Sequence, residues 1–180
     1  MIYGKGFKMD IKILSRMEMI SDLIIGQSEG RYIVSINDSV KEANIMISHG
    51  RFNRCKGMFA TVFSDIVKMY DEYPELIVPS KEHIQDILNW TKDKTDQPIS
   101  VHCHAGISRS SATAFLIGCQ QCGDPQLAMK NILDKRFHSP NSKIIEHGAE
   151  ILNMPEIIPL IFEFNKISNE TIDLSRGFFI

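Results

Sequence analysis

The sequence lacks several features that would assign it to whole classes of protein. None of its apolar runs reaches the ~18 residues that a membrane-spanning helix requires. The 20 Lys and Arg residues are balanced by 22 Asp and Glu residues, and the net charge of −2 provides no general basic surface for nucleic acid or anionic lipid. We therefore expect neither nucleic acid nor a membrane among its partners, and the sequence leaves the oligomeric state open.

Cysteine is also scarce. The four cysteines, Cys55, Cys103, Cys119 and Cys122, show no disulfide framework for a chain of 180 residues. Cys119 and Cys122 have no second pair with which to hold zinc, so we predict no metal site. The first residues lack the apolar core and the small-residue cleavage site of a secretory signal. These absences favour a reducing compartment, and we expect the cytoplasm.

What is present is a regular alternation of short apolar runs with amphipathic segments. Strands are predicted at 11–14, 32–36, 58–63 and 98–101, with a further short strand at Ile45-Met46-Ile47. Helices are predicted at 16–25, from Ser80 to 92–94, after Ser110, after Asp124-Pro125, and at 142–153. This order predicts an α/β fold with a mostly parallel central sheet flanked by helices.

One loop carries most of the chemistry. It follows the apolar run at 98–101 and reads His102-Cys103-His104-Ala105-Gly106-Ile107-Ser108-Arg109-Ser110. A loop of this length can curl so that its backbone N–H groups point inward at a helix N-terminus, which makes an anion site shaped for phosphate. Beside a helix N-terminus and a cation, Cys103 is expected to rest as a thiolate. Arg109 can grip two phosphate oxygens, and the Ser110 hydroxyl can stabilise the thiolate when it leaves.

The pattern His-Cys-X5-Arg-Ser resembles the signature loop of the cysteine-dependent protein tyrosine phosphatases, and 105–110 resembles the dual-specificity branch most closely. The resemblance implies a tyrosine/dual-specificity phosphatase-like fold and covers roughly 11–153. We accordingly predict a phosphatase domain at 1–153. Residues 154–180 are predicted to be an extension of unknown role that docks on the same domain. Arg136 and Asn141 look like residues that the family carries after the loop helix, and Asn141 is expected to support the site.

The resemblance also implies a general acid. The family uses an aspartate on a mobile loop that precedes the cysteine by one strand and one helix. Asp65 has this place, because it follows the strand at 58–63, and Asp71 on the same loop is the alternative. The resemblance also implies that His102 braces the loop by hydrogen bonds and does not itself react.

The predicted activity is hydrolysis of phosphomonoesters through a cysteinyl-phosphate intermediate, without metal or cofactor. The substrate-binding residues are predicted to be His104, Ala105, Gly106, Ile107, Ser108 and Arg109. The five residues between Cys103 and Arg109 include no permanent cation, and Ile107 offers an apolar wall, so a phosphorylated protein, most simply one with phosphotyrosine, is the expected substrate. The alternatives are a phosphatase of inositol phosphates or other non-protein phosphates, served by cations at Arg51, Arg54 or Lys56, and a phospho-binding pseudophosphatase.

Overall fold

The computed structural model describes residues 9–48, 50–133 and 138–165, without the side chain of Arg51. Four strands form one sheet in the order β1-β4-β2-β3, and every neighbouring pair is parallel. The strands are β1 (Ile11–Ser15), β2 (Tyr32–Asn37), β3 (Gly57–Val62) and β4 (Ile99–Cys103). The predicted α/β fold with a parallel central sheet is confirmed.

Helices connect the strands, as parallel pairing requires. They are α1 (Arg16–Ile24), α2 (Val40–Ser48), a short 3-10 helix (Gly50–Arg54), α3 (Lys81–Thr91), α4 (Arg109–Cys122), α5 (Pro125–Ile132) and α6 (Ser142–Leu152). Residues 157–165 are helical as well. Within the described ranges, no helix combines the length and apolar character needed to cross a membrane.

The two faces of the sheet are covered by different helices. Ile33 of β2 packs with Met19, Met46 and Phe52, which belong to α1, α2 and the 3-10 helix. Its neighbours Val34 and Ile36 belong to the larger core, which also contains buried residues of α3, α4, α5 and α6. Successive residues of β2 thus serve opposite faces, and the central strands are enclosed between two layers of helices.

Helix α2 contradicts one prediction. The short strand predicted at Ile45-Met46-Ile47 is wrong, because all three residues are helical. The apolar triplet suggested a strand, yet Ile45 and Ile47 are exposed and only Met46 is buried against the sheet. The amphipathic spacing of Ala43 and Met46, both buried on α2, therefore outweighed the β-branched composition.

The chain beyond α6 stays against the main core. Met154 donates its N–H to the carbonyl of Ala149, and Ile157 and Ile161 are buried in the larger core. Residues 166–180 lie outside the described part of the chain. The predicted boundary at 153 therefore stays a prediction, although 154–165 pack on the same core.

The carboxyl ends of the four parallel strands meet at one edge of the molecule. Directly after them come Arg16 from β1, Asp38 from β2, Phe63 from β3 and His104 from β4. Parallel α/β sheets place their ligands at this edge. The sheet thus brings together four segments that are far apart in sequence.

Candidate active site

The predicted loop joins β4 to α4. Cys103 is the last residue of β4 and only 1% exposed, and α4 begins at Arg109. Gly106 has φ +74°, a conformation that side-chain-bearing residues rarely adopt, and its N–H donates to the Cys103 Sγ atom at 3.3 Å. The Ser110 hydroxyl lies 3.2 Å from the same sulfur. The loop therefore curls over the thiol, and a backbone donor and a hydroxyl both face the sulfur.

Arg109 is buried beside this loop, with 3% of its surface exposed. Its Nη1 atom donates to Asp38 Oδ1 at 2.6 Å and to the carbonyl of Phe63 at 2.8 Å. Its Nε atom is buried and has no hydrogen-bond partner in the described chain. An unsatisfied buried guanidinium N–H is costly, so this atom is suited to an incoming anion. One end of the guanidinium is therefore fixed, and the Nε donor at the other end is unpaired in the described chain.

Asp65 lies next to the loop of residues 102–110, the predicted catalytic loop. Its Oδ1 atom accepts a hydrogen bond from the Ser108 hydroxyl at 2.7 Å and another from Asn141 Nδ2 at 2.9 Å. The residue is exposed. Asp71 lies on an exposed turn and has no hydrogen bond to the loop within the described residues. The geometry therefore favours Asp65 over Asp71.

Asn141 links three parts of the site. Its Oδ1 atom caps α6 by accepting from the N–H groups of Lys143 and Ile144. Its own backbone N–H donates to the Ser108 carbonyl at 3.4 Å, and Ser139 N–H donates to the Ile107 carbonyl at 3.1 Å. Residues 139–141 thus lie along the catalytic loop. Arg136, which the resemblance had paired with this stretch, lies outside the described residues.

The supporting role of His102 stays a prediction. The ring is fully buried, and by distance and angle neither nitrogen is paired within the described residues. Burial, helped by the nearby Arg16 cation and opposed by the backbone of Cys103, lowers the pKa of His102 to about 4. The ring is therefore neutral at pH 7. Its neighbours His104, Ala105 and Ile107 are exposed at the mouth.

Sequence reasoning missed three charged residues at the same edge. The guanidinium of Arg16 donates to both oxygens of Glu42, at 2.9 and 2.6 Å, and lies 3.8 Å from Asp38 Oδ2. The backbone N–H of Arg16 donates to the His104 carbonyl in the catalytic loop at 3.1 Å. The hydrogen bonds from Arg16 are the main reason why the pKa of Glu42 is lowered. Arg16 and Asp38 each follow a strand directly, and that position was the available signal.

The remaining candidates from the sequence lie elsewhere. Arg54 binds Glu29 and Lys56 binds Gln97, at the amino end of β3 rather than near the catalytic loop. The suggestion that these two cations serve the pocket is therefore wrong.

Burial raises the pKa of the Cys119 thiol. No cluster of three or more metal-binding side chains occurs within the described ranges.

The fold and the loop define an α/β protein in which a buried cysteine, faced by a backbone N–H and a hydroxyl, lies at the carboxyl edge of a parallel sheet. Residues 26–139 match the sequence profile of the protein-tyrosine phosphatases, and the chain belongs to this family. The predicted resemblance is confirmed, and the chain is a phosphatase of the protein-tyrosine phosphatase superfamily.

Solved structures with the same fold include three informative ones. The active form of Tk-PTP has 15% identity and TM-score 0.56, with 84% of this chain and 99% of that chain covered. DUSP15 has 16% identity and TM-score 0.56, with 88% and 94% covered. PTPMT1 in complex with PI(5)P has 15% identity and TM-score 0.54, with 85% and 95% covered. These identities establish a shared fold only. No curated protein matches the sequence.

Proposed function

We propose that the chain removes phosphate from protein side chains, preferably phosphotyrosine, through a cysteinyl-phosphate intermediate and without a metal ion. One observation carries the proposal. The buried Cys103 sulfur faces the N–H of Gly106 and the hydroxyl of Ser110, beside an Arg109 whose buried Nε has no partner in the described chain. A thiol, an anion cradle and an oriented cation are what phosphoryl transfer to sulfur requires.

In the first step, the Cys103 thiolate attacks phosphorus in line with the leaving oxygen. The S–P bond forms, the P–O bond to the substrate breaks, and Asp65 gives a proton to the departing oxygen. In the second step, Asp65 takes a proton from water, the water oxygen attacks phosphorus, and the thiolate leaves. The Ser110 hydroxyl stabilises the returning charge on sulfur.

The phosphoryl oxygens are held by the loop throughout both steps. Arg109 Nε and the loop N–H groups bind the equatorial oxygens, where the charge of the transition state lies. The N–H groups belong to His104, Ala105, Gly106, Ile107, Ser108 and Arg109. The contact of Asp38 with Nη1 supports this role, because it fixes the guanidinium while leaving Nε for substrate.

The substrate preference rests on the lining of the mouth. Ile107 is 37% exposed and presents an apolar surface next to the phosphate position, which suits an aromatic ring. The X5 residues provide no permanent cation, and the nearby Arg16 is already balanced by Glu42 and Asp38. A highly charged inositol phosphate would therefore find little extra positive charge.

The deciding experiment measures kcat/KM at fixed ionic strength on phosphotyrosine, phosphoserine and phosphothreonine peptides of one sequence, and on inositol phosphates. We expect the phosphotyrosine peptide to be the best substrate. A clear preference for the inositol compounds would favour the alternative class. Phosphopeptide binding without any phosphate release would indicate a pseudophosphatase. Cytoplasmic location stays a prediction.

A further inference from the structure

Four charged side chains form a row of ion pairs from Arg109 to the outer edge of the site. Arg109 binds Asp38, Arg16 lies against Asp38, and Glu42 binds Arg16 through both carboxylate oxygens. Each residue comes from a different place in the fold: the starts of α4 and α1, the loop after β2, and the first turn of α2. The charges alternate in sign and sum to zero.

Glu42 contacts both Arg16 and Asp38. Besides both nitrogens of Arg16, its Oε2 atom accepts the backbone N–H of Asp38 at 3.0 Å. Its place is set locally, because Ser39 Oγ accepts the N–H of Glu42 at the start of α2. The Glu42 carboxylate therefore binds both the backbone N–H of Asp38 and the guanidinium of Arg16, and that guanidinium lies against the Asp38 side chain.

Asp38 needs such support. It is 39% exposed, and an ion pair with one exposed partner is screened by water and weakly held. Left alone, its side chain would exchange rotamers and the Nη1 end of Arg109 would keep only the carbonyl of Phe63. Small displacements of a positioned group are costly in catalysis, so the carboxylate must be held still.

We propose that Arg16 and Glu42 are positioning residues that hold Asp38 against Arg109 and thereby set the guanidinium in place for the phosphoryl group. The inference rests on the function proposed above and adds two residues to its site. Neither residue contacts the reacting atoms. They act through Asp38, and the bond from Arg16 N–H to the His104 carbonyl couples the start of α1 to the catalytic loop.

Glu42→Gln separates positioning from simple charge. Glutamine removes a negative charge close to an anion site, so electrostatics alone would tighten phosphate binding. Positioning predicts the reverse, because a glutamine side chain cannot hold Arg16 with two carboxylate oxygens. Arg16 would then turn to Asp38 and compete with Arg109 for it. Arg16→Gln weakens binding under either account, so the sign of the Glu42→Gln effect decides.

The experiment uses the full chain in a Cys103→Ser background, where binding is measured without turnover. The probe is inorganic phosphate, titrated by calorimetry at fixed ionic strength. We expect Glu42→Gln and Arg16→Gln each to raise the Kd, and in the Cys103 enzyme to lower kcat on an aryl phosphate by about tenfold. Arg16→Lys keeps the charge but cannot bind both Glu42 oxygens with a planar fork, so it should also raise the Kd, by less than Arg16→Gln. Thermal unfolding and circular dichroism establish that each variant is folded.

Glu29→Gln and Arg54→Gln are the matched controls. Glu29 and Arg54 form an ion pair with one hydrogen bond at the amino edge of the sheet. The two variants remove the same charges as the test variants, and they should leave the Kd for phosphate unchanged. Tighter or unchanged phosphate binding in Glu42→Gln would overturn the inference, as would a loss of thermal stability with an unaltered Kd. Failure of the Cys103→Ser parent to bind phosphate would overturn the proposed function along with it.

Discussion

Asn141 Nδ2 lies 2.9 Å from Asp65 Oδ1, although the two residues are 76 positions apart in the sequence. The Ser108 hydroxyl shares the same oxygen, so one atom of the proposed acid is fixed from two sides. Asn141 also caps α6. A single side chain therefore couples the start of a helix to the orientation of the carboxyl group.

Asn141→Ser should separate these two functions. Serine is as good an N-cap as asparagine, so α6 should keep its stability. Serine cannot reach Asp65 with an amide N–H, and kcat should fall by roughly tenfold, a part of what a positioned acid contributes. Asn141→Ala should lose the same activity and also about 1 kcal/mol of stability. Steady-state kinetics and thermal unfolding measure both quantities, and equal kcat in Asn141→Ser and wild type would contradict the coupling.

Asp65→Asn tests the acid itself. We expect kcat to fall by roughly 10²–10⁴-fold, the usual contribution of a positioned proton donor. The basic limb of the pH–rate profile should disappear, because the protonated carboxyl is the acting form. Asp71→Asn is the matched control on the same segment and should leave the profile unchanged. The assignment moves to Asp71 if the two variants exchange these results.

Cys103→Ser tests the nucleophile. Hydrolysis of an aryl phosphate should be abolished, because a hydroxyl is not a resting anion at neutral pH, while the fold is retained. Wild-type activity should survive chelators and be blocked by vanadate. Mass spectrometry of acid-quenched wild type should detect one phosphoryl group on Cys103. Substantial turnover by the serine variant would exclude the whole mechanism.

The buried ring of His102 predicts a pH dependence of stability. Its pKa is about 4 in the folded chain against 6.5 for the unperturbed group, so the unfolded chain binds the extra proton between these values. Stability is therefore fully present above pH 6.5 and is lost as the pH falls towards 4. The shift corresponds to about 3 kcal/mol.

The measurement is the free energy of unfolding at several pH values between the two pKa values of His102, about 4 and 6.5. Burial also lowers the pKa of His83, which contributes a slope of the same sign. Because His83 is present in both proteins, the difference between wild type and His102→Gln isolates the buried ring. Identical slopes in the two proteins would show that His102 titrates normally.

Much of the fold was predictable because its signals are local. Ser15 and Glu18 form a capping box at the start of α1, Asp124 caps α5, and Gly123 ends α4 with φ +66°. The predicted strands, the catalytic loop and its helix rest on similar short-range patterns. Helix α2 was not predicted from the sequence, although Ser39-x-x-Glu42 has the same capping spacing as Ser15-x-x-Glu18.

The charged surroundings of the loop could not be predicted in the same way. No motif marks Arg16, Asp38 and Glu42 as a group, and the contacts that link them to one another and, through Asp38, to Arg109 depend on the strand order. Only the structure places the ends of β1 and β2 on either side of β4. The family resemblance suggested Asp65 as the acid, but it could not predict the hydrogen bonds of Asp65 to Ser108 and Asn141, which join separate loops.

The strand order determines when the sheet can form during synthesis of the chain. β4 pairs with β1 on one side and with β2 on the other, yet it follows both of them in synthesis by a long interval. In the described sheet, β1 pairs with β4 alone, so the emerging N-terminal half cannot complete this sheet. Such distant pairing is slow to form. The strand that joins β1 to β2 also ends in Cys103, so this thiol takes its place at the sheet edge only when β4 pairs with both of them.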